Sequence, residues 1–307
     1  MPAIRAERLR KGFDGSIAVN DVSFIMEDGE IFGLLGPNGA GKTTTIRMLT
    51  GVLQPDGGSA IVSGYDITET PLAAKQRMGI VPEMVDAYID LSAGKNLLLM
   101  GELYGIPKRE REKKADDLLE LFGLYEKRNR KVKTFSKGMR QRVVVAMGLM
   151  NDPRVLFLDE PTSGLDVESV RIIRELIQKI NADGITVLLT THNIEEANRL
   201  CDRVAIMNHG RIVVVDRPCV LRRTIESTAS IEVSFRTAVQ PADLTFDAAG
   251  GIKKVGDRIR LYTDRPEDLI PVVVAYAESS GNKIVSLNTL APNLEDVFVN
   301  LTGGERP

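Results

Sequence analysis

The 307-residue chain is short of cysteine and histidine, with two of each, and it has no long apolar run. Cys201 and Cys219 stand apart with no C-x-x-C spacing, which speaks against a structural disulfide and predicts two inert thiols in a reducing compartment. No stretch reaches the roughly 18 apolar residues that a membrane helix requires, so the chain has no span of its own. The N-terminus "MPAIRAERLRKGF" lacks the apolar region of a secretory signal. The expectation is a cytosolic chain that can still dock on a membrane protein. An excess of one charge is also missing: 40 Lys and Arg face 42 Asp and Glu, a net charge of -2, and no nucleic-acid partner is expected. What remains is an ordinary globular composition, 43% hydrophobic and 27% charged, long enough for about two domains.

One stretch carries clear chemistry. "GPNGAGKT", comprising Gly36, Pro37, Asn38, Gly39, Ala40, Gly41, Lys42 and Thr43, matches the phosphate-binding pattern G-x-x-x-x-G-K-[ST], and Thr44 extends it. The pattern has meaning only between a strand and a helix. "EIFGLL" before it reads as a short buried strand, and "TTTIRMLTG" after it reads as a helix stopped at Gly51. Glycines let backbone N–H groups converge on phosphate oxygens, and the helix start adds partial positive charge. Lys42 is expected to reach the β- and γ-phosphates, and the Thr43 hydroxyl to ligate Mg²⁺. A plain strand-to-helix turn would not require Lys-Thr at this place.

Further along, "VLFLDEP" is a hydrophobic strand ending in Asp159 and Glu160. Ligands of open α/β sheets bind at the carboxyl ends of strands. Asp159 is thereby placed to hold Mg²⁺, directly or through water, and Glu160 to position and deprotonate an attacking water. Val167, Val170, Ile173, Leu176, Ile177 and Ile180 recur at helical spacing, closed by Gly184. "ITVLLTT" is another buried strand, with His192 at its carboxyl end and a functional role expected there. Asn193 and Glu196 predict a capping box for the next helix. His209, in the turn "NHGR" between two strands, carries no expected chemistry.

Between these halves lies a helix-rich insertion, about Val85 to Met150. "REREKKADDLLELFGL" is a charged helix whose apolar side is Leu118, Leu119 and Phe122, and the run Lys108 to Lys114 reads as a solvated face. "TFSKGMRQRVVVAMGLM" offers Ser136 as N-cap, with Gly138 beside it, and a helix start of that kind is a second anion site. Two phosphate-type sites in one chain suggest that the second serves another copy of the protein.

These motifs together resemble the ATP-binding subunit of an ABC transporter over about residues 3–222: "GPNGAGKTT", the signature "FSKGMRQR", "VLFLDEP", the loop "SGLD" (Ser163 to Asp166) and His192 in "TTH". The resemblance implies an α/β fold, a P-loop NTPase cassette with a RecA-like core sheet and helical insertion, spanning 1–224, and a small C-terminal α+β domain over 225–307. It implies that Phe13 stacks on adenine, that Glu160, His192 and Lys42 are catalytic, and that ATP and Mg²⁺ are bound. It implies a homodimer or paired subunit in which Ser136 and Gly138 of one copy close over the nucleotide of the other. It also implies an integral-membrane permease as partner, with the chain peripheral on the cytoplasmic face of the membrane. "SKGMRQR", "LYGIP" and the tail "LAPNLEDVFVNLTG" resemble the export-type branch that pairs with separate permeases, the ABC-2 type with drug and multidrug ATPases. Two departures stand out: Lys137 replaces a glycine of the commoner signature, and Glu83 replaces the usual Gln, where a carboxylate would bind Mg²⁺ more strongly.

The last 80 or so residues change pattern. "IEVSF", "RIRLYT" and "KIVSLNT" alternate as half-buried strands, while "PEDLIPVVVAYAESSG" and "NLEDVFVNLTG" read as helices, the second capped by Asn293. Regulation, extra dimer contact and simple stabilisation all suit this part. Against transport stands a non-transport ATPase of the same superfamily working on DNA or ribosomes. The short insertion without sustained heptads and the single P-loop speak against it. A scaffold that binds nucleotide without hydrolysis is disfavoured by Glu160 and His192.

Overall fold

The computed structural model describes residues 2–83, 87–224 and 229–290, except 242, 243, 245, 247, 248, 250 and 264. These fall into two compact units, one ending at Pro218 and one beginning at Cys219. The first unit opens with a hairpin of β1 (Ile4–Phe13) and β2 (Ser16–Met26), then β3 (Ile31–Leu35) and α1 (Lys42–Leu49). Next come β4 (Gly57–Val62), β5 (Tyr65–Asp66), α2 (Pro71–Lys75) and β6 (Met78–Val81). Helices α3 (Ala93–Leu103), α4 (Lys108–Leu121) and α5 (Lys137–Gly148) form the insertion. The unit continues with β7 (Val155–Asp159), α6 (Val167–Ala182), β8 (Thr186–Thr191), α7 (Ile194–Leu200), β9 (Arg203–Asn208) and β10 (Arg211–Asp216).

A six-stranded sheet in the order β10-β9-β3-β8-β7-β6 is the frame. It is parallel from β9 to β6, with β10 antiparallel at one edge. Every residue of β3, β7 and β8 is buried, as expected of strands covered on both faces. A second sheet, β2-β1-β4-β5, is antiparallel. The sequence does not announce it, because bulges break the two-residue period: Ile4 and Ala6 point inward, then the register shifts and Leu9 takes the next inward place. Helix α1 is wedged in the core, where Ile46, Met48 and Leu49 meet Ile4, Leu9, Val22 and Phe24 from the second sheet and Phe32, Leu34 and Phe157 from the first. The rings of Phe24 and Phe32 stack at 5.1 Å and tie the two sheets together.

Three expectations change in detail. Val167 starts α6 at 88% exposure and lies off the buried stripe, which begins at Ile173. Arg111 and Lys114 leave the solvated face of α4, with Arg111 pairing with Glu102 at 3.0 Å and Lys114 pairing with Asp152, so they tack the helix to its neighbours. The capping box on α7 is half made: Asn193 accepts from the Glu196 N–H at 3.1 Å, but the Glu196 side chain is buried and accepts from the Thr162 hydroxyl at 2.7 Å. Both cysteines are free thiols, and Cys201 is packed under β3, where a Cβ on Gly33 would lie 2.7 Å from its sulfur. No helix among the described residues is long and apolar enough to cross a membrane.

The second unit contains α8 from Cys219 onward (Pro218–Thr224), β11 (Ala229–Phe235), β12 (Gly251–Val255), β13 (Arg258–Thr263), α9 (Pro266–Ser279) and β14 (Ile284–Leu290). Its antiparallel sheet runs β12-β13-β11-β14, and Leu269 and Val273 of α9 pack on Ile231, Val233, Ile259 and Leu261. The helix read over "NLEDVFVNLTG" with its cap Asn293, and the branch-like tail beyond Leu290, lie outside the described residues, as does Val85 at the expected start of the insertion.

Candidate active site

Three parallel strands end side by side. Leu35 of β3 pairs in register with Thr191 of β8, and Thr190 pairs with Asp159 of β7. The chain leaving these ends carries the P-loop, the Asp159-Glu160 pair and His192 to one edge of the sheet, where such sheets bind ligands.

Close approach dictates the P-loop glycines. At Gly36 a Cβ would stand 2.4 Å from the Met207 carbonyl oxygen, and the Gly36 N–H donates to Thr191 O at 3.2 Å. Gly41 has φ of +99°, and a Cβ there would stand 2.5 Å from the Ala18 carbonyl oxygen. Side chains are therefore barred from both positions. Ala40 donates to Pro37 O at 3.1 Å, leaving Asn38 and Gly39 exposed at the crest. Gly41 opens α1 without a side-chain cap, so the first-turn N–H groups of Lys42, Thr43 and Thr44 remain as donors for an anion.

The charged groups interlock. Lys42, 5% exposed, donates to Gly36 O at 2.7 Å and Pro37 O at 3.2 Å, and its ammonium lies 3.3 Å from Glu160 Oε1. The other Glu160 oxygen, Oε2, is 2.8 Å from His192 Nδ1. The Thr43 hydroxyl donates to Asp159 Oδ1 at 3.0 Å. Asp159, Glu160 and Glu196 are all buried carboxylates, while Lys42 is the buried cation beside Glu160. Burial, with Glu160 adding repulsion, holds the Glu196 carboxyl above its usual range despite its bond from Thr162.

Glu160 is backbone-strained, with φ of +50°. Its N–H donates to Thr190 Oγ1 at 3.0 Å, and its carbonyl accepts from Ser163 N–H at 3.1 Å. The Thr190 hydroxyl in turn donates to Asp159 Oδ1 at 2.5 Å. Thr190, Thr191 and Thr162 escape the motif reading, and Glu196 enters it only as a helix cap. A polar pair closing the buried strand "TVLLTT" was the available signal for the first two.

The remaining expected residues lie around this centre. Phe13, 47% exposed, sits at the tip of the β1–β2 hairpin, and β2 places Ala18 against Gly41. Glu83 is exposed just past the end of β6, outside the Thr43–Asp159 contact. Ser136 caps α5, accepting from Met139 N–H at 3.3 Å, and is exposed, while Gly138 is pressed onto α6, where a Cβ would stand 2.1 Å from Ser169 Oγ. That start of α5 therefore has its neighbours on α6 and the loop before it.

Comparison with known proteins adds the family. The sequence model of the ABC transporter family matches residues 19–163. The Linearmycin resistance ATP-binding protein LnrL of Bacillus subtilis (strain 168) is 36% identical, covering 98% of each chain. The Nod factor export ATP-binding protein I of Ralstonia nicotianae is also 36% identical, over 99% of this chain and 95% of its own length. Among solved structures, an ATP-binding subunit of an ABC transporter is 30% identical, with a TM-score of 0.66 over 72% of this chain and 92% of its own. A dimeric bacterial ABC transporter cassette is 26% identical, with a TM-score of 0.64 over 70% and 98%. With the P-loop, buried carboxylates and histidine gathered on one sheet edge, the chain belongs to the ABC transporter family as an ATP-binding, ATP-hydrolysing subunit.

Proposed function

We propose that this subunit powers export through a separate membrane permease, and that its ATP is hydrolysed between two copies arranged head to tail. The phosphates rest on the N–H groups of Gly39 to Thr44, with Lys42 between the β- and γ-phosphates and Phe13 against the adenine. Thr43 and Asp159 supply hard oxygen donors 3.0 Å apart, in surroundings rich in buried carboxylate, and this fits Mg²⁺. Bound there, Mg²⁺ would supply charge neutralisation on the phosphate oxygens. Glu83, past β6, would complete its surroundings from solvent.

Glu160 orients an in-line water and accepts its proton, and His192 holds the carboxylate at Oε2. Lys42 leaves Glu160 Oε1 for the γ-phosphate, which frees that oxygen for the water. Ser136 and Gly138, at the start of α5, close over the nucleotide of the second copy. A dimeric relative and the anion-ready start of α5 support that pairing. The export direction rests on the Nod factor relative and the branch-like signature. The permease would dock near Glu83 and the insertion and hold the chain at the cytoplasmic face of the membrane.

One observation carries this reading: Glu160 is poised between Lys42 and His192, beside the Thr43–Asp159 pair. In the Glu160→Gln variant, ATP binding is expected to persist while steady-state turnover falls by roughly 10²-fold or more, as for loss of one transition-state contact. Near-normal phosphate release from that variant would refute the assignment.

A further inference from the structure

The position that departs from the commoner signature makes a contact of its own. Lys137 is the first residue of α5, and its ammonium donates to the Ser163 carbonyl oxygen at 2.8 Å. A cation in the first turn of a helix opposes the helix dipole, so its place there calls for a compensating partner. The Ser163 carbonyl is that partner. Ser163 also donates its N–H to the Glu160 carbonyl at 3.1 Å. One residue, Ser163, is thus bonded on one side to the start of the signature helix and on the other to the strained residue at the hydrolytic centre. The next residue, Gly164, lies so close that a Cβ there would stand 2.5 Å from the Lys137 ammonium. On the far side, Thr162 is pinned to Glu196 of α7, the helix that follows His192, at 2.7 Å.

We infer that Lys137 is a positioning residue that couples the two half-sites of each subunit: through Ser163 it links the helix start facing the partner's nucleotide to Glu160 beside the subunit's own. The inference rests on the head-to-tail pairing proposed above. Occupancy of the partner's P-loop draws on the start of α5. Lys137 passes that displacement to Ser163, and the Ser163–Glu160 turn passes it to a backbone already at φ of +50°. A strained position is kept in place by the bonds around it, and the Ser163–Glu160 bond is one of these, so displacing Ser163 loads that position directly.

The test uses the full chain, unmodified and as Lys137→Met and Lys137→Arg. Lys137 is exposed, so neither substitution touches the core. Methionine keeps the stem and removes the ammonium, whereas arginine keeps a donor. Turnover is measured against ATP concentration, together with equilibrium binding of a fluorescent ATP analogue. The unmodified chain and Lys137→Arg are expected to give sigmoidal curves. Lys137→Met should give a hyperbolic curve, its Hill coefficient falling towards unity with analogue affinity unchanged. Sigmoidal kinetics in Lys137→Met, or loss of them in Lys137→Arg, would overturn the coupling. So would hyperbolic kinetics in an unmodified chain that turns over, a result that leaves the shared-site reading standing. If the unmodified chain neither hydrolyses ATP nor dimerises with it, the shared-site reading falls and the coupling falls with it.

Discussion

At the scale of single residues, the site is organised around Glu160. Its positive φ has a cost of order 1 kcal/mol that surrounding bonds must outweigh. Thr190 supplies two of those bonds, accepting from the Glu160 N–H and donating to Asp159. Valine has nearly the same shape without the hydroxyl. Thr190→Val removes one of two partners from each group, since the Glu160 N–H keeps the Thr190 carbonyl at 3.2 Å and Asp159 Oδ1 keeps the Thr43 hydroxyl at 3.0 Å, and the loss should be about 1 kcal/mol. Denaturant unfolding measures that loss, and turnover should fall with it. Unchanged stability and turnover would show that the hydroxyl is not needed. Residues of this kind were only partly legible. Lys42, Thr43, Asp159, Glu160 and His192 could be picked out because motif and strand-end position coincide. Thr190 and Glu196 act through neighbours distant in sequence, which a linear pattern does not encode.

At the scale of elements, caps and strand ends account for most of what could be read. The buried strands β3, β7 and β8 lie where continuous apolar runs place them, and α5 starts at its expected cap, Ser136. The sheet of β1, β2, β4 and β5 is hidden by its bulges, and β12 by the pair Lys253-Lys254 on a strand with little burial. The α7 cap departs from its pattern for a different reason: the spacing turns Glu196 back to the helix start, yet the chain buries it under Thr162.

That burial has a measurable sign. Desolvation raises the Glu196 pKa above 4.5, so the folded state holds this proton more tightly than the unfolded chain does. The associated stability is fully present below the unfolded value and is lost as pH rises through the folded value. Glu196→Gln keeps an oxygen acceptor for Thr162 and cannot ionise. Its stability should decline less than that of the unmodified chain between about pH 4.5 and neutrality. Parallel stability–pH curves for the two proteins would contradict the assignment.

At the scale of the whole molecule, the first unit contains the hydrolytic centre and also an anion-ready helix start, that of α5. Relatives aligned over nearly the full length carry the region of the second unit as well, whereas the solved cassettes cover about 70% of the chain. The sequence made this duality legible because the P-loop and the Ser136 helix start are both anion sites, and one nucleotide per chain needs only one cradle. It could not show the contact between the two half-sites of one subunit, since the Lys137–Ser163 bond spans 26 positions of sequence.

The central claim is that a working site is built from the P-loop of one copy and the signature helix of another. Its most direct test is a complementation assay. Ser136→Arg spoils one half and Lys42→Ala the other, so each protein alone should be inactive. Mixed, they form heterodimers containing one intact site, and ATP hydrolysis should return. A mixture that stays inactive, although both proteins are folded and associate, would contradict the account.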